Sequence, residues 1–280
     1  MINPYNRIEF DSPMSASEST NHQCELSPEQ GTGSRHVDID LLLLEAAGCI
    51  LPYGNNTLIA EEYRVLKRPL LANIAGRSGK PVRNANLIVV TSAVPGEGKS
   101  FTALNLAISM AMELERRVLL VDADVARPSL PRLLGINEQK GLLDVLQDPK
   151  TQLNDVLLRT NIDKLSVLTA GLPQPRATEL LGSEAMAALL DEMALRYPDR
   201  IIIFDSPPLM MTTEARVLVN LMGQVLFVVR AEETLQSVMK EALAMIAACP
   251  VKFMVLNQAS HQPASVRGYG YGYGYGSQSR

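Results

Sequence analysis

The stretch that most constrains the fold of this chain is residues 87–100, Leu-Ile-Val-Val-Thr-Ser-Ala-Val-Pro-Gly-Glu-Gly-Lys-Ser. Its apolar, β-branched beginning predicts a buried strand over residues 87–92. Residues 93–100 fit a phosphate-binding loop in which alanine occupies the first glycine position. Apolar residues then recur at helical spacing, at Leu104, Ala107, Ile108, Ala111 and Leu114. The sequence therefore predicts a strand, an anion-binding loop and a helix N-terminus in direct succession.

The loop contains the residue types that a nucleotide requires. Gly96 and Gly98 lack the Cβ that would keep backbone amides away from phosphate oxygens. The Lys99 ammonium suits the β- and γ-phosphates, and the Ser100 hydroxyl suits Mg²⁺. We therefore expect ATP and Mg²⁺ as cofactors. The predicted nucleotide-binding residues of the loop and the helix start are Pro95, Gly96, Glu97, Gly98, Lys99, Ser100 and Phe101.

Composition and charge argue against several other classes of protein. The net charge is −4 and no run of Lys or Arg is present, so no nucleic-acid partner is expected. The three cysteines lie far apart, without zinc or redox spacing. The apolar stretch 41–51 is interrupted by Glu45 and is shorter than the ~20 residues of a membrane span. The N-terminus does not have the pattern of a signal peptide, so we expect a soluble, cytoplasmic protein.

Composition also divides the chain into four segments. Residues 1–38, rich in Ser, Glu, Asn and Gln, are predicted to be a disordered arm. Residues 39–85 form a predicted helical extension and linker, in which Pro69 kinks or interrupts a helix. Residues 86–262 form the α/β domain, and residues 263–280 a flexible Gly/Tyr tail.

Short apolar segments alternate with helical patterns throughout the α/β domain. The predicted strands are 87–92, 117–122, 165–169, 200–205, 224–229 and 252–256. The predicted helices are 99–115, 129–134, 141–147, 183–196, 212–221 and 234–247. This alternation predicts an α/β fold of the P-loop NTPase type, a mostly parallel, doubly wound sheet with helices on both faces.

Two further strands end in carboxylates. Asp122 and Asp124 follow an apolar strand, and Asp205 ends another. Because ligands bind at the carboxyl ends of strands in doubly wound sheets, these side chains are expected beside the phosphate loop. Together with Lys99 they supply charge neutralisation, metal ligands and a proton acceptor, which are the groups that phosphoryl transfer requires.

In this order, residues 93–100, Asp122-Ala-Asp124 and Asp205-Ser-Pro-Pro208 resemble the Walker A, Walker A′ and Walker B motifs of the bacterial tyrosine kinases. Residues 61–67, Glu-Glu-Tyr-Arg-Val-Leu-Lys, resemble the E-x-x-R-x-x-R segment that packs neighbouring subunits of that family into a ring. The alternating glycines and tyrosines of residues 268–276 resemble its C-terminal tyrosine cluster. Two segments, Glu-Glu-Tyr-Arg…Lys-Arg-Pro-Leu-Leu at residues 61–71 and Asp-Ala-Asp-Val-Ala-Arg-Pro-Ser-Leu at residues 122–130, look most like the stand-alone autokinases of exosortase-linked exopolysaccharide clusters. The resemblance to the family spans about residues 57–280.

The resemblance implies roles for individual residues. Lys99 and Ser100 would contact ATP and Mg²⁺. Asp122 would lie near the metal and act as the base for the tyrosine hydroxyl. The implied catalytic residues are Lys99, Asp122, Asp124 and Asp205, the metal ligands Ser100, Asp122 and Asp205, and Asn257 would face adenine. The implied subunit contacts are Glu61, Arg64 and Lys67, and the phosphoacceptors are Tyr269, Tyr271, Tyr273 and Tyr275.

The sequence departs from the family pattern at two places. Ala126 stands where a basic residue is usual two positions after the second aspartate, and Arg127 follows one place later. Lys67 replaces the third subunit-contact arginine, which keeps the charge but loses bidentate pairing.

The resemblance further implies ATP-dependent autophosphorylation of the tail that regulates exopolysaccharide biosynthesis or export. The implied partners are a membrane-anchored, polysaccharide co-polymerase-type activator that recruits the kinase to the inner face of the plasma membrane, an opposing tyrosine phosphatase, and other copies of this chain. Two alternatives remain open at this stage. One is a partitioning or septum-positioning ATPase, which carries a lysine where this chain has Val94, and the other is a non-catalytic nucleotide-gated scaffold.

Overall fold

This computed structural model describes residues 35–53, 57–137, 139–196 and 199–259. The strands in those ranges are β1 (Arg35–Val37), β2 (Leu87–Ser92), β3 (Arg117–Asp122), β4 (Leu158–Thr160), β5 (Leu165–Leu168), β6 (Arg200–Asp205), β7 (Gln224–Arg230) and β8 (Lys252–Asn257). The helices are α1 (Leu41–Ala46), α2 (Leu58–Ile74), α3 (Lys99–Ala111), α4 (Leu130–Leu134), α5 (Leu142–Gln147), α6 (Leu153–Val156), α7 (Ala177–Leu181), α8 (Glu184–Arg196), α9 (Thr213–Asn220) and α10 (Gln236–Met245).

The strands form one sheet in the order β1-β4-β5-β3-β6-β2-β7-β8, and among the described strands only β4 and β5 pair antiparallel. Strand β2 is buried at every position, as expected of a parallel strand covered on both faces. The carboxyl ends of β2, β3 and β6 meet at one edge, where Asp122 stands beside Asp205 in register. The predicted mostly parallel α/β fold is confirmed.

Successive residues of β2 pack into different layers, as the two-residue period of a strand requires. Leu87 and Val89 belong to the layer that contains α8 and α10. Ile88 and Val90 belong to the layer that contains α2 and α3. Helices therefore cover both faces of the sheet, also as predicted.

The structure contains all six predicted strands, with ends within one residue of those expected. Strands β1 and β4 were not predicted, because each has three residues of mixed polarity. Strand β1 lies inside the predicted disordered arm, residues 1–38, where it pairs with β4. Residues 1–34 of that arm, and the tail from residue 260 onward, lie outside the described residues.

Two helix predictions were wrong in detail. Helix α3 ends at Ala111 instead of 115, and Leu114 lies 88% exposed in the turn before β3. Pro69 does not interrupt α2, which continues to Ile74. Pro69 is exposed, and the carbonyl that it deprives of a donor belongs to Val65, which is 73% exposed and accessible to water. Among the described residues, no helix has both the length and the apolar character to cross a bilayer.

Candidate active site

The phosphate loop, residues 93–98, connects the buried end of β2 to the start of α3. Gly96 and Gly98 have φ angles of 87° and 92°, a region in which a side chain would strain the backbone. Gly98 is also the N-cap of α3, and no side chain caps that end. The first amide groups of α3 are thus directed at the loop, where an anion would accept their hydrogen bonds.

Side chains from outside the loop hold its shape. The amide of Val94 donates to Glu97 Oε2 at 2.7 Å, and the Thr234 hydroxyl donates to Glu97 Oε1. Asn257 Nδ2 donates to the Glu97 carbonyl at 2.9 Å. A Cβ added at Gly98 would stand 2.0 Å from that same Asn257 nitrogen. The side chains of Glu97 and Asn257, both predicted to bind nucleotide, are therefore engaged with the loop itself.

The remaining predicted loop contacts differ in exposure. Pro95 and Gly96 form an exposed tip, whereas Phe101 packs in the same apolar layer as α3. The Ser100 hydroxyl accepts a hydrogen bond from Ser129 Oγ at 2.7 Å. Lys99 is 7% exposed, and its Nζ lies 4.0 Å from Asp124 Oδ2. The structure thus brings Lys99 and Ser100 against the carboxylates predicted on the neighbouring strands.

The three predicted carboxylates converge at the carboxyl ends of β3 and β6. Asp122 accepts hydrogen bonds from the amides of Asp124, at 3.2 Å, and Leu130, at 3.1 Å. Asp205 is fully buried, and within the described part of the chain neither of its carboxylate oxygens has a hydrogen-bond partner. Buried carboxylate oxygens without a donor are costly, so this position favours a bound cation or a proton.

The protonation of these carboxylates follows from their burial. Burial raises the pKa of Asp122 well above its ordinary value of 3.8, and the neighbouring Asp205 raises it further. Burial also raises the pKa of Asp205, while the nearby Ser100 hydroxyl and Lys99 oppose the rise. Burial raises the pKa of Asp124 as well, against the opposing charge of Lys99. A carboxylate with a raised pKa is suited to accept a proton during a reaction.

The residues at this edge fit a magnesium–nucleotide complex better than a metal held by protein alone. No group of three or more His, Cys, Asp or Glu among the described residues could hold a metal ion by itself. Mg²⁺ is usually bound by one or two carboxylates together with substrate phosphates and water. The Ser100 hydroxyl and the unpaired oxygens of Asp205, next to an anion-binding loop, match that donor set.

The predicted subunit-contact residues on α2 separate into two environments. Arg64 pairs with Glu61 at the surface. Lys67 is 4% exposed, and its Nζ lies 2.7 Å from Glu113 Oε1 and donates to the Ser109 carbonyl at 2.6 Å. Lys67 therefore joins α2 to the last turn of α3 within the chain. The predicted phosphoacceptors Tyr269, Tyr271, Tyr273 and Tyr275 lie outside the described residues.

Sequence reasoning missed several residues that organise this site. Ser129 reaches Ser100, Thr234 reaches Glu97, and the amide of Leu130 reaches Asp122. None of these positions carries a motif of its own. Their contacts depend on the packing of the loop after β3 and the turn after β7 against the phosphate loop and its neighbouring strands.

Comparisons with known proteins agree with this geometry. The family described as "ParA: NUBPL iron-transfer P-loop NTPase" matches residues 83–257. Tyrosine-protein kinase YwqD of Bacillus subtilis (strain 168) is 31% identical over 215 residues, which cover 76% of this chain and 86% of that protein. Putative tyrosine-protein kinase EpsB of Ralstonia nicotianae is 34% identical over 158 residues, 56% of this chain but only 20% of that longer protein.

A solved structure resembles the fold over most of its length. The kinase domain of the Escherichia coli tyrosine kinase ETK matches with a TM-score of 0.64 and 25% identity, over 82% of this chain and 97% of that domain. This chain therefore shares the fold of that kinase domain over nearly the whole of the domain.

Proposed function

We propose that this chain, which belongs to the bacterial tyrosine-protein kinases of the ParA-type P-loop NTPase fold, is an autokinase. It transfers the γ-phosphate of ATP to the tyrosines of its own tail. The observation that carries this proposal is the meeting of a phosphate loop with buried carboxylates of raised pKa, in a chain that ends in alternating glycine and tyrosine. The carboxylates supply a proton acceptor, and the tail supplies hydroxyl groups.

The division of roles follows from the contacts. Lys99 and the amides of residues 96–100 bind the phosphates. Ser100 and Asp205 would hold Mg²⁺, which would neutralise charge developing on the phosphate oxygens. The tyrosine oxygen bonds to the γ-phosphorus while the bond from that phosphorus to ADP breaks. Asp122 accepts the proton that the tyrosine hydroxyl loses in this step. Asp124 keeps Lys99 in place, as their 4.0 Å approach supports. Asn257 positions the phosphate loop by donating a hydrogen bond to the Glu97 carbonyl, and it lies next to the expected adenine.

The wider function rests on the resemblance in the motifs. The kinase regulates exopolysaccharide biosynthesis or export, with a membrane-anchored co-polymerase-type activator and an opposing tyrosine phosphatase. Copies of the chain assemble through the exposed Glu61 and Arg64 of α2. Lys67 takes no part in this contact, because its side chain is buried inside the chain.

Labelled ATP tests the kinase proposal. The full chain should incorporate label on tyrosine, the Lys99→Ala variant should not, and replacement of Tyr269, Tyr271, Tyr273 and Tyr275 by Phe should remove most of the label. Tyr53→Phe is the matched control, since Tyr53 is 77% exposed but outside the tail. Release of phosphate without labelled protein would contradict the proposal and favour a positioning ATPase, and nucleotide binding without phosphate release would favour a scaffold.

A further inference from the structure

The two edges of the sheet differ sharply in charge. The segments that enter β2, β3, β5, β6 and β8 lie at the edge opposite the phosphate loop, here called the amino edge. In the described ranges 75–86, 112–117, 161–164, 196, 199–200 and 246–252, these segments carry nine cations, Arg77, Lys80, Arg83, Arg116, Arg117, Lys164, Arg196, Arg200 and Lys252. Against them stand four carboxylates in the same segments, Glu113, Glu115, Asp163 and Asp199. Two carboxylates of α8 also pair with these cations, Asp191 with Arg83 and Glu192 with Arg196.

The carboxyl edge has the opposite balance. Segments 93–99, 122–129, 169–176, 205–212 and 230–235 carry four cations, Lys99, Arg127, Arg176 and Arg230, and six carboxylates, Glu97, Asp122, Asp124, Asp205, Glu232 and Glu233. The chain as a whole has a net charge of −4. The positive charge of the amino edge is therefore a local property that runs against the overall charge of the protein.

The amino edge also exposes large apolar side chains among its cations. Leu114, in the turn between α3 and β3, is 88% exposed, and Leu195, in the last turn of α8, is 80% exposed. These two segments enter neighbouring strands, because β3 pairs with β6 and the amide of Arg117 donates to the carbonyl of Asp199. The two leucines thus lie at the same edge of the molecule.

A cleft at this edge combines both kinds of side chain. It has a volume of about 530 Å³ between the end of α2 and the turn after α3. Its walls include three guanidinium groups, two carboxylates and several apolar side chains: Arg68, Arg77, Arg116, Glu113, Glu115, Leu71, Ile74 and Leu114. Glu113 is paired with Lys67, so the guanidinium groups outnumber the remaining carboxylate. Guanidinium groups bind phosphate, and an adjoining apolar wall suits the aliphatic part of the same molecule.

We propose that the amino edge docks directly on an anionic lipid bilayer, with its cations at the headgroup phosphates and Leu114 and Leu195 at the acyl boundary. Basic residues and exposed apolar side chains act together in such peripheral binding. Nucleic acid would use the cations but offers no apolar layer for the leucines. Docking by this edge leaves the phosphate loop facing away from the membrane, and it does not depend on kinase activity.

Vesicle co-sedimentation of the full chain tests this docking. Vesicles of phosphatidylglycerol and phosphatidylcholine should bind it, pure phosphatidylcholine vesicles should not, and raising the salt should weaken binding. The variant Arg77→Gln/Lys80→Gln should bind about thirtyfold more weakly, since each surface cation contributes roughly fivefold. The control Lys140→Gln/Arg176→Gln removes the same charge from exposed positions near the opposite edge, and should bind like the wild type.

A second variant separates lipid from nucleic acid. Leu114→Ser changes no charge, and it should weaken vesicle binding severalfold while leaving any binding of duplex DNA unchanged. The proposal is overturned if anionic vesicles bind no better than neutral ones, if both charge-removal variants lose binding equally, or if duplex DNA binds through Arg77 and Lys80 while vesicles do not. It is also overturned if Leu114→Ser binds vesicles like the wild type.

Discussion

Helix α3 has a cluster of buried charge at each end, and the two clusters differ in how their charge is compensated. At its start, Lys99 approaches Asp124 and interacts electrostatically with Asp205. Both oxygens of Asp205 lack a hydrogen-bond donor among the described residues. At its end, Lys67 is 4% exposed but pairs with Glu113 and with a backbone carbonyl.

This difference separates a site that requires a ligand from a contact that is complete within the chain. A buried charge with its partner in place holds two elements together, and loss of the partner is costly. A buried charge without a partner lowers stability until a cation, a proton or a substrate supplies what is missing. Substitutions at the two ends of α3 should therefore change stability in opposite directions.

The largest effect on stability is expected at the end of α3. Glu113→Gln leaves the buried Lys67 ammonium without an opposite charge, with only neutral oxygens to accept its hydrogen bonds, and it should lower the free energy of unfolding by about 2–3 kcal/mol. Lys67→Met is the matched variant. It should cost only about 1 kcal/mol, because the remaining Glu113 side chain is 32% exposed and can be hydrated.

Urea denaturation of the unliganded proteins measures both changes. Equal losses of unfolding free energy for the two variants would contradict the prediction, because Lys67 is almost fully buried and Glu113 is partly exposed. Sedimentation of the same variants should show unchanged assembly at concentrations where the wild type is folded, whereas Arg64→Ala should reduce assembly.

The environment of Lys67 shows where sequence patterns fail. Glu61, Arg64 and Lys67 are spaced three apart and were all predicted to be subunit contacts. Each three-residue step falls about 60° short of a full turn, so Lys67 lies about 120° around the helix from Glu61. Lys67 instead shares the buried side of α2 with Tyr63 and Leu70. The sequence shows that Tyr63, Lys67 and Leu70 have the spacing of one helix face. A lysine at such a position is nevertheless expected to be exposed to solvent until a buried partner for its charge is known.

The carboxyl edge was more predictable than α2. Strands β2, β3 and β6 are mostly apolar and are followed by, or end in, residues of the predicted site. In a parallel sheet the carboxyl ends of strands lie at one edge, so the sequence alone predicts that these residues come together. Contacts between distant segments were not predictable, such as Asn257 with Glu97, which are 160 residues apart. Such contacts depend on how loops pack, and a residue's type alone does not specify its partner.

At the start of α3, removal of charge should stabilise the protein. Asp205→Asn eliminates a buried carboxylate without a donor, and at pH 8 in the presence of EDTA it should raise the free energy of unfolding by about 1–2 kcal/mol. The same variant should lose labelling by ATP, because Asp205 is a proposed metal ligand. A destabilised Asp205→Asn protein would contradict the distinction between the two ends of the helix.

Asp122 and Asp205 should also make stability depend on pH in the absence of ligands. Because burial raises the pKa of both groups above 3.8, the folded state retains protons that the unfolded state has released. The free energy of unfolding should therefore fall as the pH rises above 3.8, by at most ~1.4 kcal/mol per pH unit for each retained proton, and level off above the raised pKa values.

Asp205→Asn should make this fall shallower. Asp148→Asn is the control, because hydrogen bonds from Lys150 and Thr151 lower the pKa of Asp148. The stabilisation that Asp148 provides is complete above pH 3.8 and is lost only in more acidic solution, so its removal should leave the slope above pH 4 unchanged. Denaturant titrations between pH 4 and pH 8 in EDTA measure both slopes. A wild-type stability that rises with pH over this range would show that the carboxylates beside the phosphate loop are already compensated, as Lys67 is at the other end of α3.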